Sequence, residues 1–340
     1  YTGWYTLSLH DALPISNIKV NSNFHTLSDK SLFDNNDKKF QEYRRKWTAN
    51  PEKGIVEDFP LFLDIEVTSN CNLKCPFCST SQKMNNKNAY MKFNLYKKII
   101  DEGAEKGLYG CKYNYRGEPL LHKELYSFVE YAKKKGLIDV YFNTNLQLLT
   151  ENVANKLIDV GLDRISISIE GYKKSVYEKY RVGGSFNKLL KNLEMLIETR
   201  EKKKVKHPKI RIQSVLISEI IDELDDYKNF WNQFAEEVSY LDCRNFDIQN
   251  YDLKTDWICQ FLWQRLVVLY DGKVLPCACP DVYNLSLFSD AMIIGNVNEI
   301  SLESIWKSDY IKTIRKLHKT GNSNKLKMCL NCVYRNNEIK

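Results

Sequence analysis

The stretch LFLDIEVTSNCNLKCPFC, residues 61–78, decides how this chain reads. In its first half Leu61, Leu63, Ile65 and Val67 alternate with Asp64, Glu66 and Thr68, the period-2 pattern of a β-strand. Its second half carries Cys71, Cys75 and Cys78, spaced CxxxCxxC, on the loop that leaves the strand's C-terminal end. Three thiolates on one short loop can bind three irons of a [4Fe–4S] cluster and leave the fourth iron open. A structural zinc site normally closes with four ligands, commonly from CxxC pairs. A triplet with no nearby fourth Cys or His therefore favours the open cluster.

Outward from this stretch the pattern repeats. Residues 110–115, 139–143, 164–170, 210–217 and 238–242 read as strands, and 94–106, 123–135, 150–160, 186–203 and 222–236 as amphipathic helices between them. Such alternation argues for parallel βα units in an α/β fold. Six units fit a partial (β/α)6 TIM-like barrel with its site at the C-terminal strand ends. A doubly wound open sheet would give a similar string. Within the strands, Ile165, Ile167 and Ile169 oppose Arg164, Ser166, Ser168 and Glu170, while Ile210 and Ile212 oppose Arg211 and Gln213. Parallel strands covered on both faces read as continuous apolar runs. A curled sheet with this alternation would line its lumen with polar side chains and hold something polar. A two-layer sheet with one solvated face is the bland alternative.

The 340 residues are enough for one large domain or two ordinary ones. With 43% hydrophobic and 12% aromatic residues, and only 14 Gly and 8 Pro, the composition excludes disordered, collagen-like and low-complexity classes. The balance of 50 Lys+Arg against 43 Asp+Glu gives +7. That excess is spread over runs such as 133–135 and 202–204, which read as solvated helix faces rather than a nucleic-acid patch. No apolar run approaches a bilayer span and no secretory leader is evident, so the chain reads as cytoplasmic with no membrane partner. Ten cysteines are too few for a disulfide scaffold and too clustered for core filler.

The chain begins with Tyr1, and residues 5–16, YTLSLHDALPIS, look like a translated sequencing-library adapter. Residues 1–16 are therefore set apart and expected to pack poorly. Residues 17–60 are expected to be an N-terminal lead-in, mobile over 17–45, where Asn, Ser and Lys dominate. A core domain over 61–245 and a small cysteine domain over 246–340 follow.

In that last part, twelve residues separate Cys259 from Gly272, four separate Gly272 from Cys277, and Cys329 and Cys332 form a CxxC near the end. Tyr270-Asp271-Gly272-Lys273 between apolar runs reads as a hairpin turn. A hairpin followed by a helix near 302–317 would bring the two cysteine pairs together. Four thiolates fill a [4Fe–4S] cluster completely, although these spacings also suit zinc. Cys279 is a possible substitute ligand. Cys111 and Cys243 read as buried strand or loop residues.

Taken together, residues 61–334 resemble the radical S-adenosylmethionine (radical SAM) superfamily. Cys71, Cys75 and Cys78 match its cluster loop, whose open iron chelates SAM. Arg116-Gly117-Glu118-Pro119 is similar to the family's Gly-Gly-Glu motif, which holds the SAM ammonium; Arg116 replaces the first Gly. The resemblance also implies that Phe77 lies beside the adenine. Asn143, Asn145, Ser168, Glu170, Arg211 and Gln213 would then line the SAM site. Cys259, Cys277, Cys329 and Cys332, with Gly295-Asn296-Val297 and Ile305-Trp306 between them, resemble the shortened SPASM extension called a twitch domain.

The resemblance implies two [4Fe–4S] clusters, one SAM-binding and one auxiliary, and an external reductant such as a flavodoxin or ferredoxin. Reductive cleavage of SAM would give a 5′-deoxyadenosyl radical that abstracts hydrogen from a polar substrate. The expected activity is oxidation or epimerisation of a sugar- or cyclitol-like small molecule, with the auxiliary cluster as electron acceptor. Peptide modification is the alternative within the family. An epimerase needs a second hydrogen donor, for which Cys111, Cys243 and Cys279 are the candidates. The alternative of another class is a zinc protein that binds nucleic acid. No motif identifies the catalytic base.

Overall fold

The computed structural model describes residues 24–28, 32–33, 35–78, 89–241, 258–278, 293–330 and 332. Six consecutive parallel strands form its centre: β2 (Phe62–Ile65), β3 (Gly110–Lys112), β4 (Asp139–Thr144), β5 (Arg164–Ser168), β6 (Lys209–Val215) and β7 (Glu237–Leu241). On one flank β1 (Phe24–Thr26) pairs antiparallel with β7. On the other, β8 (Arg265–Val268) runs parallel to β2, and β9 (Lys273–Leu275) and β10 (Gly295–Asn296) continue antiparallel.

Helices α2 (Phe93–Glu105), α3 (Leu125–Lys134), α4 (Glu151–Asp159), α6 (Phe186–Lys202) and α8 (Leu224–Asn232) follow successive strands. Their apolar stripes, such as Tyr96, Ile99 and Ile100 on α2, join Leu63, Cys111, Val140, Phe142, Ile165, Ile167, Ile210 and Ile212 in one core. All of these strand residues lie on one face. A doubly wound sheet carries helices on both faces, so the one-sided cover decides for the partial barrel.

The opposite face is polar, as the alternation requires, but its lower half is filled by the protein itself. Arg164 makes two 2.8 Å bonds to Asp139, Arg211 pairs with Glu237 at 2.5 Å, and Asp64 meets Lys112 and Arg265. Below these pairs lies α1 (Lys38–Lys53), capped by the Asp37 side chain at its start and by Gly54 (φ +62°) at its end. Phe40 and Tyr43 of α1 pack on Leu61, Phe62 and Tyr109, and Tyr43 Oη donates to Asp139. This corrects the expectation of a mobile lead-in over 17–45. Its latter part begins a sixteen-residue helix that closes the N-terminal end of the barrel.

The hairpin expected around 270–273 is present as β8 and β9. The single helix expected near 302–317 is two, α10 (Leu302–Trp306) and α11 (Asp309–Lys319). Ser308 takes an extended conformation between them and its hydroxyl accepts from Ile311 N, which starts a new helix. Glu102 of α2 reaches across to cap α10, accepting from Leu302 N at 3.0 Å and Glu303 N at 2.8 Å. Among the described residues no helix is long and apolar enough to cross a membrane.

Candidate active site

Past β2 the chain turns into the cysteine loop through Thr68, whose hydroxyl donates to Ala89 O at 2.7 Å and accepts from Asn70 N. Leu73 is buried and anchors the loop, and Lys74 N donates to Val182 O. Cys71 is exposed, Cys75 buried and Cys78 half-buried. The loop is stitched to the end of β3 by Gly117-Glu118. Gly117 has φ +72°, and a Cβ there would lie 2.3 Å from Thr68 O and 2.7 Å from Asn70 O, so only glycine fits. Glu118 N then donates to Asn70 O.

The Glu118 carboxylate is fully enclosed and accepts from Leu120 N, Thr144 Oγ1 and Asn145 N at 2.7–3.0 Å. Burial pushes its pKa above the ordinary carboxylate value, and those donors oppose the shift. Asn145 also donates to Asn72 Oδ1 at 2.9 Å and lies 4.0 Å from Cys71 Sγ. Glu118 and Asn145 thus sit together against the loop.

Arg181, which sequence reasoning missed, completes this side. Its guanidinium grips both oxygens of the buried Glu170, lies 3.8 Å from Cys75 Sγ and stands 5.5 Å from the Phe77 ring. Burial pushes the Cys75 thiol up, while the Arg181 charge pulls it back. Phe77 also meets the Tyr180 ring. The signal available in sequence was weak: an Arg eleven residues past Glu170, across a short helix (Lys174–Tyr180), matches no local period.

Other expected residues are placed differently. Ser168 and Gln213 are register partners on the polar face, just before Glu170 and the end of β6. Asn143 is half-buried, with its backbone N–H donated to Asn114 Oδ1. Arg211 is turned to the closed end, held by Glu237 and stacked over Phe24 and Phe33. Its own ion pair, not a cofactor, accounts for its place on the polar face. Arg116 is explained by Glu66, which it pairs with twice, at 2.5 and 2.9 Å, inside the protein. Cys111 lies on the helix-covered face, and burial pushes its thiol up to about 12. That position removes it as a hydrogen donor to the lumen. Cys243 and Cys279 lie outside the described residues.

Cys259, Cys277, Cys329 and Cys332 are all between 6% and 9% exposed. Gly272 turns the hairpin at φ +93°, and Gly295 passes so close to Ile305 that a Cβ would lie 2.6 Å from its side chain. Arg315 donates to Leu262 O and Trp306 O and covers the Trp306 ring, tying α11 to α10 and to the helical turn that precedes β8. His318, also missed from sequence, is buried between Cys259 N (3.4 Å) and Cys329 Sγ (3.5 Å). None of the described cysteines forms a disulfide.

These donors suit iron–sulfur clusters: soft thiolates in sets of three and four. Beside the first set the buried Ser69 hydroxyl has no hydrogen-bond partner, and Gly117 leaves a cradle that a Cβ would fill. Among the described residues no three Cys, His, Asp or Glu side chains stand close enough to share one ion. A four-iron cluster instead spreads its thiolates over separate irons.

A family model of the radical SAM superfamily matches residues 65–208, and a second, for the SPASM iron–sulfur cluster-binding domain, matches 259–333. The chain is 32% identical over 134 residues to a "Probable GTP 3',8-cyclase" of Methanococcus maripaludis, covering 39% of this chain and 44% of that one. It is 33% identical over 154 residues to a PqqA peptide cyclase of Bradyrhizobium diazoefficiens, covering 44% and 39%. It thus spans less than half the length of these curated relatives. Among solved structures it is similar to BtrN in complex with AdoMet and 2-DOIA, at 21% identity and TM-score 0.53, over 84% of this chain and 95% of that one. It is also similar to anSMEcpe with bound AdoMet, at 20% identity and TM-score 0.57, over 76% and 84%. At such identities the structures attest the shared fold. Residues 65–208 are thus a radical SAM domain and residues 259–333 an iron–sulfur cluster-binding SPASM domain, the pairing of an enzyme whose cofactors are SAM and [4Fe–4S] clusters.

Proposed function

We propose that this enzyme oxidises or epimerises a hydroxylated small molecule of the sugar or cyclitol class. The observation that carries the reading is the uneven lumen. Its lower half is filled by ion pairs and closed by α1, while Ser166 beside Arg211 and, one row nearer the C-terminal strand ends, Ser168 and Gln213 present uncharged polar side chains. The buried Ser166 hydroxyl has no partner. Neutral donors and acceptors suit a substrate rich in hydroxyls, since a buried polar group left unpaired costs about 1–3 kcal/mol.

Cys71, Cys75 and Cys78 would hold the SAM-binding cluster, and Cys259, Cys277, Cys329 and Cys332 one auxiliary cluster. Together these groups would supply one-electron reductive cleavage of SAM for hydrogen abstraction and an acceptor for the substrate's second electron. The chain's own residues bind and orient. Gly117 lets the backbone approach closely, and Glu118 offers its carboxylate to the SAM ammonium beside Asn145. Phe77 offers a flat apolar face for the adenine. Arg181 holds Glu170 and brings positive charge against Cys75. The closed lower end keeps water from entering behind the substrate. A reductant of the flavodoxin or ferredoxin kind would dock at the cysteine-loop side. The core would comprise 61–245 and the auxiliary domain 246–340.

A peptide substrate is the second reading, favoured by the likeness to a PqqA peptide cyclase. The test is anaerobic reconstitution with iron and sulfide, followed by assay for 5′-deoxyadenosine with candidate aminocyclitols and peptides. About eight irons per chain fit two clusters. One SAM consumed per oxidised cyclitol supports dehydrogenation, and solvent deuterium on an otherwise unchanged carbon supports epimerisation. Product formed from peptides alone would overturn the small-molecule reading.

A further inference from the structure

We propose that His318 is a positioning residue for the auxiliary cluster: its Nε2–H donates a hydrogen bond to the Cys329 sulfur and holds the cluster's midpoint potential up. This rests on the reading that Cys329 is a cluster ligand. His318 lies in the last turn of α11 on the face formed by Ile311, Ile314 and Arg315, and it is 1% exposed. Its ring spans two of the cysteines expected to bind iron. Cys259 N lies 3.4 Å from Nδ1, and Cys329 Sγ lies 3.5 Å from Nε2.

The first contact fixes the tautomer. A backbone N–H only donates, so Nδ1 must accept, and a neutral imidazole then carries its proton on Nε2. That proton points at the sulfur. Each electron added to a cluster adds negative charge to its thiolates, so a donor to one of them stabilises the reduced form more than the oxidised form. Hydrogen bonds to the sulfurs are among the levers that set cluster potentials. A histidine that merely filled the core would let His318→Asn and His318→Gln move the potential alike, since burial around a cluster also sets its potential.

The test uses the full chain, reconstituted anaerobically with Cys71, Cys75 and Cys78 changed to Ala so that the auxiliary cluster alone gives the spectroscopic signal. Iron content and an EPR-monitored redox titration are the readouts. His318→Asn can keep an acceptor near Nδ1 for Cys259 N–H but has no atom near Nε2. His318→Gln can place an amide N–H near Nε2. The expected result is about four irons in each, a lower midpoint potential in His318→Asn, and a potential near that of the parent in His318→Gln. If His318→Asn loses iron while His318→Gln keeps both iron and potential, the donor is confirmed as necessary. An unshifted potential in His318→Asn, or one equally low in His318→Gln, would overturn the inference, as would loss of iron in both. Cys329→Ala with its iron undiminished would instead sink the ligand reading on which it rests.

Discussion

The two cysteine sets differ in what surrounds them. Cys71 stands exposed and Cys78 half-buried on a loop at the rim of the lumen, with Arg181 and Glu118 close by. The four cysteines of the second set are buried; Cys259, Cys277 and Cys332 share a core with residues of α10 and α11, and His318 of α11 lies against Cys259 and Cys329. An open loop can admit a ligand to a cluster and expose it to a reductant. A buried set with four thiolates suits the passage of electrons. On the proposed function the first set would serve bond-breaking and the second electron acceptance, and that contrast can be broken from either side.

The largest effect should come from the open set. Replacing Cys71, Cys75 and Cys78 by Ala should abolish 5′-deoxyadenosine formation while about four irons remain. Residual cleavage of SAM would mean that the sets have been assigned the wrong way round. The converse change, Cys277→Ala, should halve the iron and stop formation of oxidised product, yet leave reductive cleavage of SAM measurable. A variant that loses cleavage as well would show that the second set supports the first rather than receiving its electrons.

How much of this contrast was legible beforehand depended on range. Alternation in 61–68 and 164–170 announced the strands because a period of two needs only local side chains. The CxxxCxxC triplet and the CxxC pair stood out for the same reason, whereas joining Cys259 and Cys277 to Cys329 and Cys332 rested on the family resemblance. The residues that surround the cysteines were hidden because their partners are distant in sequence. His318 looks like the last apolar-face position of α11 until Cys259, 59 residues away, is folded against it. Arg116 breaks a family motif until Glu66, 50 residues earlier, supplies the compensating charge. α1 is a different kind of miss. Phe40, Tyr43 and Trp47 keep helical spacing, but the Asn- and Lys-rich composition around them masked it.

A third change probes how tightly the open set is built. Gly117→Ala forces a side chain into the left-handed region, at about 1–2 kcal/mol, and drives its Cβ into Thr68 O and Asn70 O. The loop must shift, and the strain alone corresponds to roughly a tenfold loss of SAM affinity. Equilibrium binding to the reconstituted enzyme would show it. Unchanged affinity would mean that the Gly117-Glu118 segment does not shape the SAM site.

The smallest expected effect tests whether the closed set stands on its own. Glu102 belongs to the core helix α2, yet its carboxylate accepts the first two backbone N–H groups of α10, one of the helices that share a core with the second set. Glu102→Ala leaves those donors unpaired and removes a negative charge from a helix N-terminus, at a cost of about 1 kcal/mol. The nearby Lys106–Glu303 pair and the Lys98 bond to Val297 O remain, so docking should loosen rather than fail. Hydrogen exchange at Leu302 and Glu303 should quicken while the amides of β2–β7 keep their protection. If protection instead falls across the parallel strands as well, the two cysteine sets share one cooperative unit. Their difference in exposure would then be a difference of position within a single fold, not of independent parts.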